Sequence, residues 1–116
     1  MKFFQGFLHF NIRCSEEDLP LIEKFYGDVL DLRIGPRPDF AVPGIWLYCE
    51  DDPILHVVAR FKKGAQVKDY HNSSIDHIAW KASGAVEFRN RLNYFMSNLK
   101  NRILKMPVIK SFYMIQ

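Results

Sequence analysis

The sequence predicts an α+β domain of paired β-α-β-β-β modules, forming a curved mixed sheet around a cleft, with the second module truncated. Three observations predict it. Three histidines stand at the same point of three short apolar strands, Leu8-His9-Phe10-Asn11-Ile12, Ile54-Leu55-His56-Val57-Val58 and Ile75-Asp76-His77-Ile78-Ala79. The chain also repeats itself in register. Ser15 and a helical stretch ending in Phe25-Tyr26 follow His9, and Ser83 and a helical stretch containing Tyr94-Phe95 follow His77, at an offset of 68 residues that suits one supersecondary module occurring twice. Finally, 116 residues with 48% apolar and 15% aromatic content support one compact domain with a real core, residues 1–116.

Each element has a local reason. Gly6 to Arg13 alternates as a strand. Ser15 is an N-cap with Asp18 at the capping-box position, and Glu16, Glu17 and Asp18 suit the positive end of a helix dipole. The helix runs to about Val29 and buries Leu19, Ile22, Phe25, Tyr26 and Leu30 at helical spacing. Leu32 to Gly35 is a short strand, and the prolines of Pro36 to Pro43 keep that loop irregular. Ile45 to Glu50 and Ile54 to Arg60 flank a hairpin turn at Asp51-Asp52-Pro53, which closes module one, residues 1–60. Residues 61–73 read as a linker, with His71 a solvated loop residue. Module two, 74–116, holds a strand from Ser74 to Lys81, a helix from Val86 to Asn98, and strands at Arg102 to Leu104 and Ile109 to Ile115. His56 lies 47 residues after His9, so by simple period its counterpart falls past Gln116 and the chain reads as one strand short.

Composition narrows the function classes. No window approaches the roughly 18 uninterrupted apolar residues of a membrane span, and Arg13, Glu16, Glu17 and Asp18 interrupt the apolar start too soon for a signal peptide. A soluble cytoplasmic protein is expected, with Cys14 and Cys49 as reduced structural thiols. The net charge of +3 divides unevenly: residues 1–58 carry five Lys/Arg against ten Asp/Glu, and residues 59–116 eleven against three. The basic residues of the second half are scattered rather than gathered on one helix face, which argues against nucleic acid and for a cleft that receives an anionic small molecule.

Three imidazoles that converge make a first-row metal site with a place left for chemistry, so His9, His56 and His77 are candidate ligands of a divalent ion such as Zn²⁺, Ni²⁺, Fe²⁺ or Mn²⁺. Arg13 and Arg60 lie four residues after His9 and His56, share their strand faces, and are candidate contacts to an anionic substrate. Trp46, Tyr48, Trp80, Phe88 and Phe95 read as sheet and helix core.

These residues carry a family resemblance. His9, Phe25-Tyr26 with Val29-Leu30, Pro43-Gly44-Ile45-Trp46-Leu47, Leu55-His56-Val57 and Asp76-His77-Ile78-Ala79 stand in the order and at the spacing of the vicinal oxygen chelate superfamily, which the chain resembles over nearly its whole length. That superfamily includes glyoxalase I, methylmalonyl-CoA epimerase, extradiol dioxygenases and bleomycin- or fosfomycin-resistance proteins. The resemblance implies metal ligands on strands one and four of each module: His9 and His77 match the first-strand positions, and His56 the fourth-strand position, where glyoxalase I usually has Glu. The family's last ligand is normally a Glu after a segment resembling Asp-Pro-Asp-Gly-Asn, which this sequence does not contain.

A metal-dependent enzyme acting on a small oxygenated, anionic substrate is therefore expected, with glyoxalase-like lyase or isomerase chemistry leading. In such sites the base is a metal-bound carboxylate; Glu50 takes that role where strand parity turns it inward, and a carboxylate from a second subunit is the other source. Arg13 stands at a spacing that resembles the Arg holding the glutathione carboxylate in glyoxalase I. The alternatives are a non-catalytic small-molecule or antibiotic-binding protein of the same fold, and an extradiol-type dioxygenase, weakened because three histidines lack the carboxylate of the 2-His-1-carboxylate set. A homodimer is expected, because an open sheet edge needs cover.

Overall fold

The computed structural model describes residues 3–64 and 77–98 and the backbone of 112–115. The elements are β1 (Phe10–Ser15), a 3-10 turn (Glu16–Asp18), α1 (Leu19–Leu30), β2 (Arg33–Gly35), β3 (Gly44–Cys49), β4 (Asp52–Phe61), β5 (Ile78–Lys81), α2 (Ala85–Ser97) and β6 (Phe112–Ile115). The fold is α+β: a mixed four-stranded sheet in the order β1-β4-β3-β2, with β1 parallel to β4 and the other pairs antiparallel, and a separate parallel pair β5-β6. The first module is the β-α-β-β-β unit the sequence predicts.

Two-residue alternation divides the sheet into two faces. Cys14, Leu47, Leu55 and Val57 are buried against α1, which returns Ile22, Phe25, Tyr26 and Val29. The intervening residues of the same strands, Asn11, Arg13, Trp46, His56 and Arg60, point to the other face. The core also reaches the second half. Phe95 of α2 packs edge-on against Phe25 at 5.3 Å, and Trp80 of β5 meets both Phe10 and Tyr26.

Helix α1 begins one turn later than the Ser15 cap predicts. The Ser15 hydroxyl donates to the Asp18 carboxylate at 3.0 Å, both side chains buried, and the chain makes a 3-10 turn before Leu19, with Pro20 in the first turn, where its missing N–H costs nothing. The helix stops at Asp31, which adopts φ 59; Asp31 N–H donates to Gly27 O, the single bond of a left-handed cap, and Leu32 N–H reaches back to Tyr26 O.

The first strand and the hairpin turn also differ from the sequence expectation. The first strand starts at Phe10, not Gly6. Phe10 pairs with Leu55, so the residues before it run past Pro53, which has no N–H to give, and then past the β3–β4 turn. Phe3, Phe4, Phe7 and Leu8 are exposed as a result. The hairpin turn is Glu50-Asp51 rather than Asp51-Asp52-Pro53, with Glu50 at φ 53, and an irregularity of register between Leu47 and Cys49 accommodates Pro53 inside β4.

The fifth strand begins at Ile78 rather than Ser74, which keeps the 68-residue offset from the observed start of β1 at Phe10. Its partner corrects the simple-period argument. Ala79, the counterpart of Asn11, pairs with Tyr113, whereas Asn11 pairs with His56, so Tyr113 holds the register position of His56 in the second half. A shorter connection than in module one brings β6 there early. The expected strand at Arg102 to Leu104, and His71, lie outside the described residues. Among the described residues no helix is long and apolar enough to cross a membrane.

Candidate functional site

The outer face of β1, β3 and β4 carries a cavity of about 560 Å³. Its floor follows from the register: Asn11 and Trp46 both lie directly beside His56, one on each neighbouring strand. Its side is the Pro36–Pro43 loop, which contributes Arg37 and Phe40, and Arg60 of β4 also lines it.

At the centre three rings stand in a stack across three adjacent segments. Trp46 and His56 lie 3.9 Å apart at 10°, and His56 and His9 lie 3.8 Å apart at 16°. Interstrand spacing sets the first contact: neighbouring strands run about 4.8 Å apart, so the flat rings of the paired residues Trp46 and His56 settle face to face, and His9, just ahead of β1, closes on the other side. Burial lowers the His56 pKa most, the neighbouring His9 lowers it further, and Arg37 adds to both, against a hydrogen bond to the Pro53 carbonyl that raises it. Both neighbours disfavour a second positive charge at His56, so it is held neutral. Its Nε2 is buried with no hydrogen-bond partner among the described residues.

Arg37 is fixed rather than trailing in solvent. Its guanidinium donates to Val42 O at 2.9 Å and lies 4.9 Å over the Phe40 ring. The loop that bears it is tied to the sheet by the Tyr48 hydroxyl donating to Pro36 O and by Ala59 N–H donating to Pro43 O at 2.8 Å.

The structure thus brings together His9, His56 and Arg60 from among the residues the sequence singled out. It does not bring the others. His77 is exposed just ahead of β5 and does not line the cavity. Arg13 is exposed with its guanidinium 5.3 Å over the Phe61 ring, so of the two arginines it is Arg60 that faces the cavity. Glu50 is exposed in the β3–β4 turn and also lies outside the lining. Arg37 escaped sequence reasoning, since an irregular loop has no periodicity to show where a side chain turns. Trp46, expected in the core, lines the cavity instead, because the alternation Ile45-Trp46-Leu47 turns it away from buried Leu47 and beside His56.

The donor set does not fit a metal as it stands. A histidine nitrogen ligates along its ring plane at about 2.0–2.1 Å, and two near-parallel rings 3.8 Å apart never aim those directions at one point. Among the described residues no three His, Cys, Asp or Glu side chains are placed to hold one ion. What the arrangement offers instead is two guanidinium groups, Arg37 and Arg60, beside the flat rings of Trp46, Phe40, His9 and His56, with no carboxylate in the lining among the described residues. A second cavity of about 590 Å³ between α1 and α2 lacks this bias, because Arg91 pairs with Asp31 at 2.7 Å and Lys24 with Asp28 at 2.9 Å on its rim.

The sequence matches no protein-family model and no curated protein. Among solved structures it is similar to a Bacillus anthracis protein assigned to the glyoxalase family, with a TM-score of 0.62 and 17% identity, covering 83% of this chain and 74% of that one. At that identity the likeness shows the fold: the chain has a glyoxalase-like fold.

Proposed function

We propose that the chain binds a small anionic organic molecule on the outer face of its first module. One observation carries this reading: Arg37, Arg60, His9 and His56 line the cavity, while among the described residues no acidic side chain does. A carboxylate entering a part-buried site meets guanidinium groups whose attraction is less screened than in open water. The volume also lies in the range that encloses small ligands. Calorimetric titration with acetate and pyruvate, against ethylammonium as the cationic control, tests it. Single-site saturation by the carboxylates is expected, weakened about tenfold or more in Arg60→Gln. Equal binding of ethylammonium, or an unchanged variant, contradicts the reading.

A metal-dependent lyase or isomerase of the glyoxalase kind is the second reading. One observation favours it: the buried Nε2 of His56 has no partner among the described residues and has His9 beside it. It requires His9 to leave the stack, and a base to reach the cavity that Glu50 does not reach. A carboxylate from a second copy, paired along the β1 edge of the sheet, would supply that base. Elemental analysis after reconstitution with Zn²⁺, Ni²⁺, Fe²⁺ or Mn²⁺ decides it: about one ion per chain, lost in both His9→Ala and His56→Ala, places it ahead of the first reading.

A further inference from the structure

The cavity has a direction. Phe40, Trp46, His56 and His9 form a continuous row of rings, with centroids 6.4, 3.9 and 3.8 Å apart in turn. The Arg37 guanidinium sits over the Phe40 end of that row. Its place is built into the backbone. A Cβ on Gly44 would come within 2.8 Å of the Arg37 Nη2 and 2.4 Å of Val57 O, so only glycine lets the guanidinium lie against the strand there. Among the described residues one Arg37 donor is taken, by Val42, which leaves the rest of the planar fork for a ligand. Held in this way, the group binds without first paying the rotamer entropy of a free surface arginine.

A ligand that uses both features has a charged group that matches a fork and a body that matches a row of flat rings. A carboxylate accepts two parallel N–H bonds from one guanidinium. A conjugated ring gains edge and offset contacts with aromatic side chains that a puckered saturated ring of the same size does not. We infer that the cavity selects a flat, conjugated monocarboxylate, an aryl or aryl-alkenyl acid, and that Arg37 is the residue that determines this specificity. The inference rests on the anion-binding reading above and narrows it to one chemical class.

Benzoate, cyclohexanecarboxylate and benzyl alcohol separate the two features, because the second keeps the charge without the flat ring and the third keeps the ring without the charge. Affinity is read by calorimetry, with pyruvate as a small reference anion. Benzoate is expected to bind about fivefold tighter than cyclohexanecarboxylate and about tenfold or more tighter than benzyl alcohol. Arg37→Gln is expected to abolish the preference of benzoate over benzyl alcohol. Arg37→Lys, which keeps the charge without the fork, is expected to retain part of it, and thermal midpoints verify that both variants fold. Cyclohexanecarboxylate or pyruvate binding as tightly as benzoate overturns this inference while leaving an anion site in place. A folded Arg37→Gln protein that still prefers benzoate as strongly as wild type also overturns it. Failure of every carboxylate to bind overturns the anion-binding reading with it.

Discussion

His56 shows how much of the site is set by immediate neighbours. Sandwiched between Trp46 and His9, it is held neutral chiefly by burial, with His9 and Arg37 reinforcing the effect. Its folded pKa therefore lies below the ordinary 6.5. The sign follows: its contribution to stability is fully present above the unfolded value and is lost as pH falls below 6.5 through the folded one. Urea unfolding of wild type against His56→Asn at about pH 7.5 and about pH 5 reads this directly. Wild type is expected to lose more stability than the variant on acidification, and equal losses contradict it. Cys14 is the opposite case. Burial, with the Asp18 charge adding to it, pushes its thiol up to about 12, while Cys49 is exposed. A thiol reagent at neutral pH is expected to modify Cys49 alone in the native protein and both cysteines in denaturant; two fast-reacting native thiols contradict the placement. His56 and Arg60 were legible in the sequence because alternation along β4 puts them on one face. Arg37 was not, because a loop between two prolines carries no such period.

At the scale of elements, the caps and turns do what local chemistry alone did not reveal. The first helix was legible from its apolar spacing, but its start was displaced because Ser15 bonds the Asp18 side chain and a 3-10 turn intervenes. Its end rests on Asp31 in the left-handed region. The exposed Arg91–Asp31 ion pair adds little there. Asp31→Gly is therefore expected to be more stable than Asp31→Ala by about 1 kcal/mol in chemical denaturation, and identical midpoints contradict a left-handed cap. The loop over the cavity depends on Gly44 in a different way. Gly44→Ala drives a Cβ into Val57 O and the Arg37 guanidinium. A loss of about 1–3 kcal/mol is expected, together with weaker anion binding; a variant as stable as wild type contradicts the close approach. The hairpin turn slid one residue from its expected place because Glu50, not a residue of the Asp-Asp-Pro run, takes the left-handed turn position.

At the scale of the whole molecule, the repeat offset located the fifth strand correctly, because one supersecondary unit occurring twice begins at equivalent residues. It mislocated the fourth-strand counterpart, because pairing register rather than period sets which residues meet, and β5 finds β6 at Tyr113. The two halves also share a core. Phe95 from α2 is 5% exposed and packs on Phe25 of α1. Phe95→Ala is expected to cost about 3–5 kcal/mol and to shift one cooperative transition; loss of α2 signal alone, with the first module melting where it did before, contradicts a common core. The first module carries a cavity of about 560 Å³ whose lining joins Arg37 and Arg60 to a stack of rings. Benzoate affinity of wild type against the Arg37→Gln/Arg60→Gln double variant, at one fixed ionic strength, tests that claim most directly. Saturable binding in wild type and its loss in a folded double variant is the predicted result, and equal affinity in the two proteins contradicts the account.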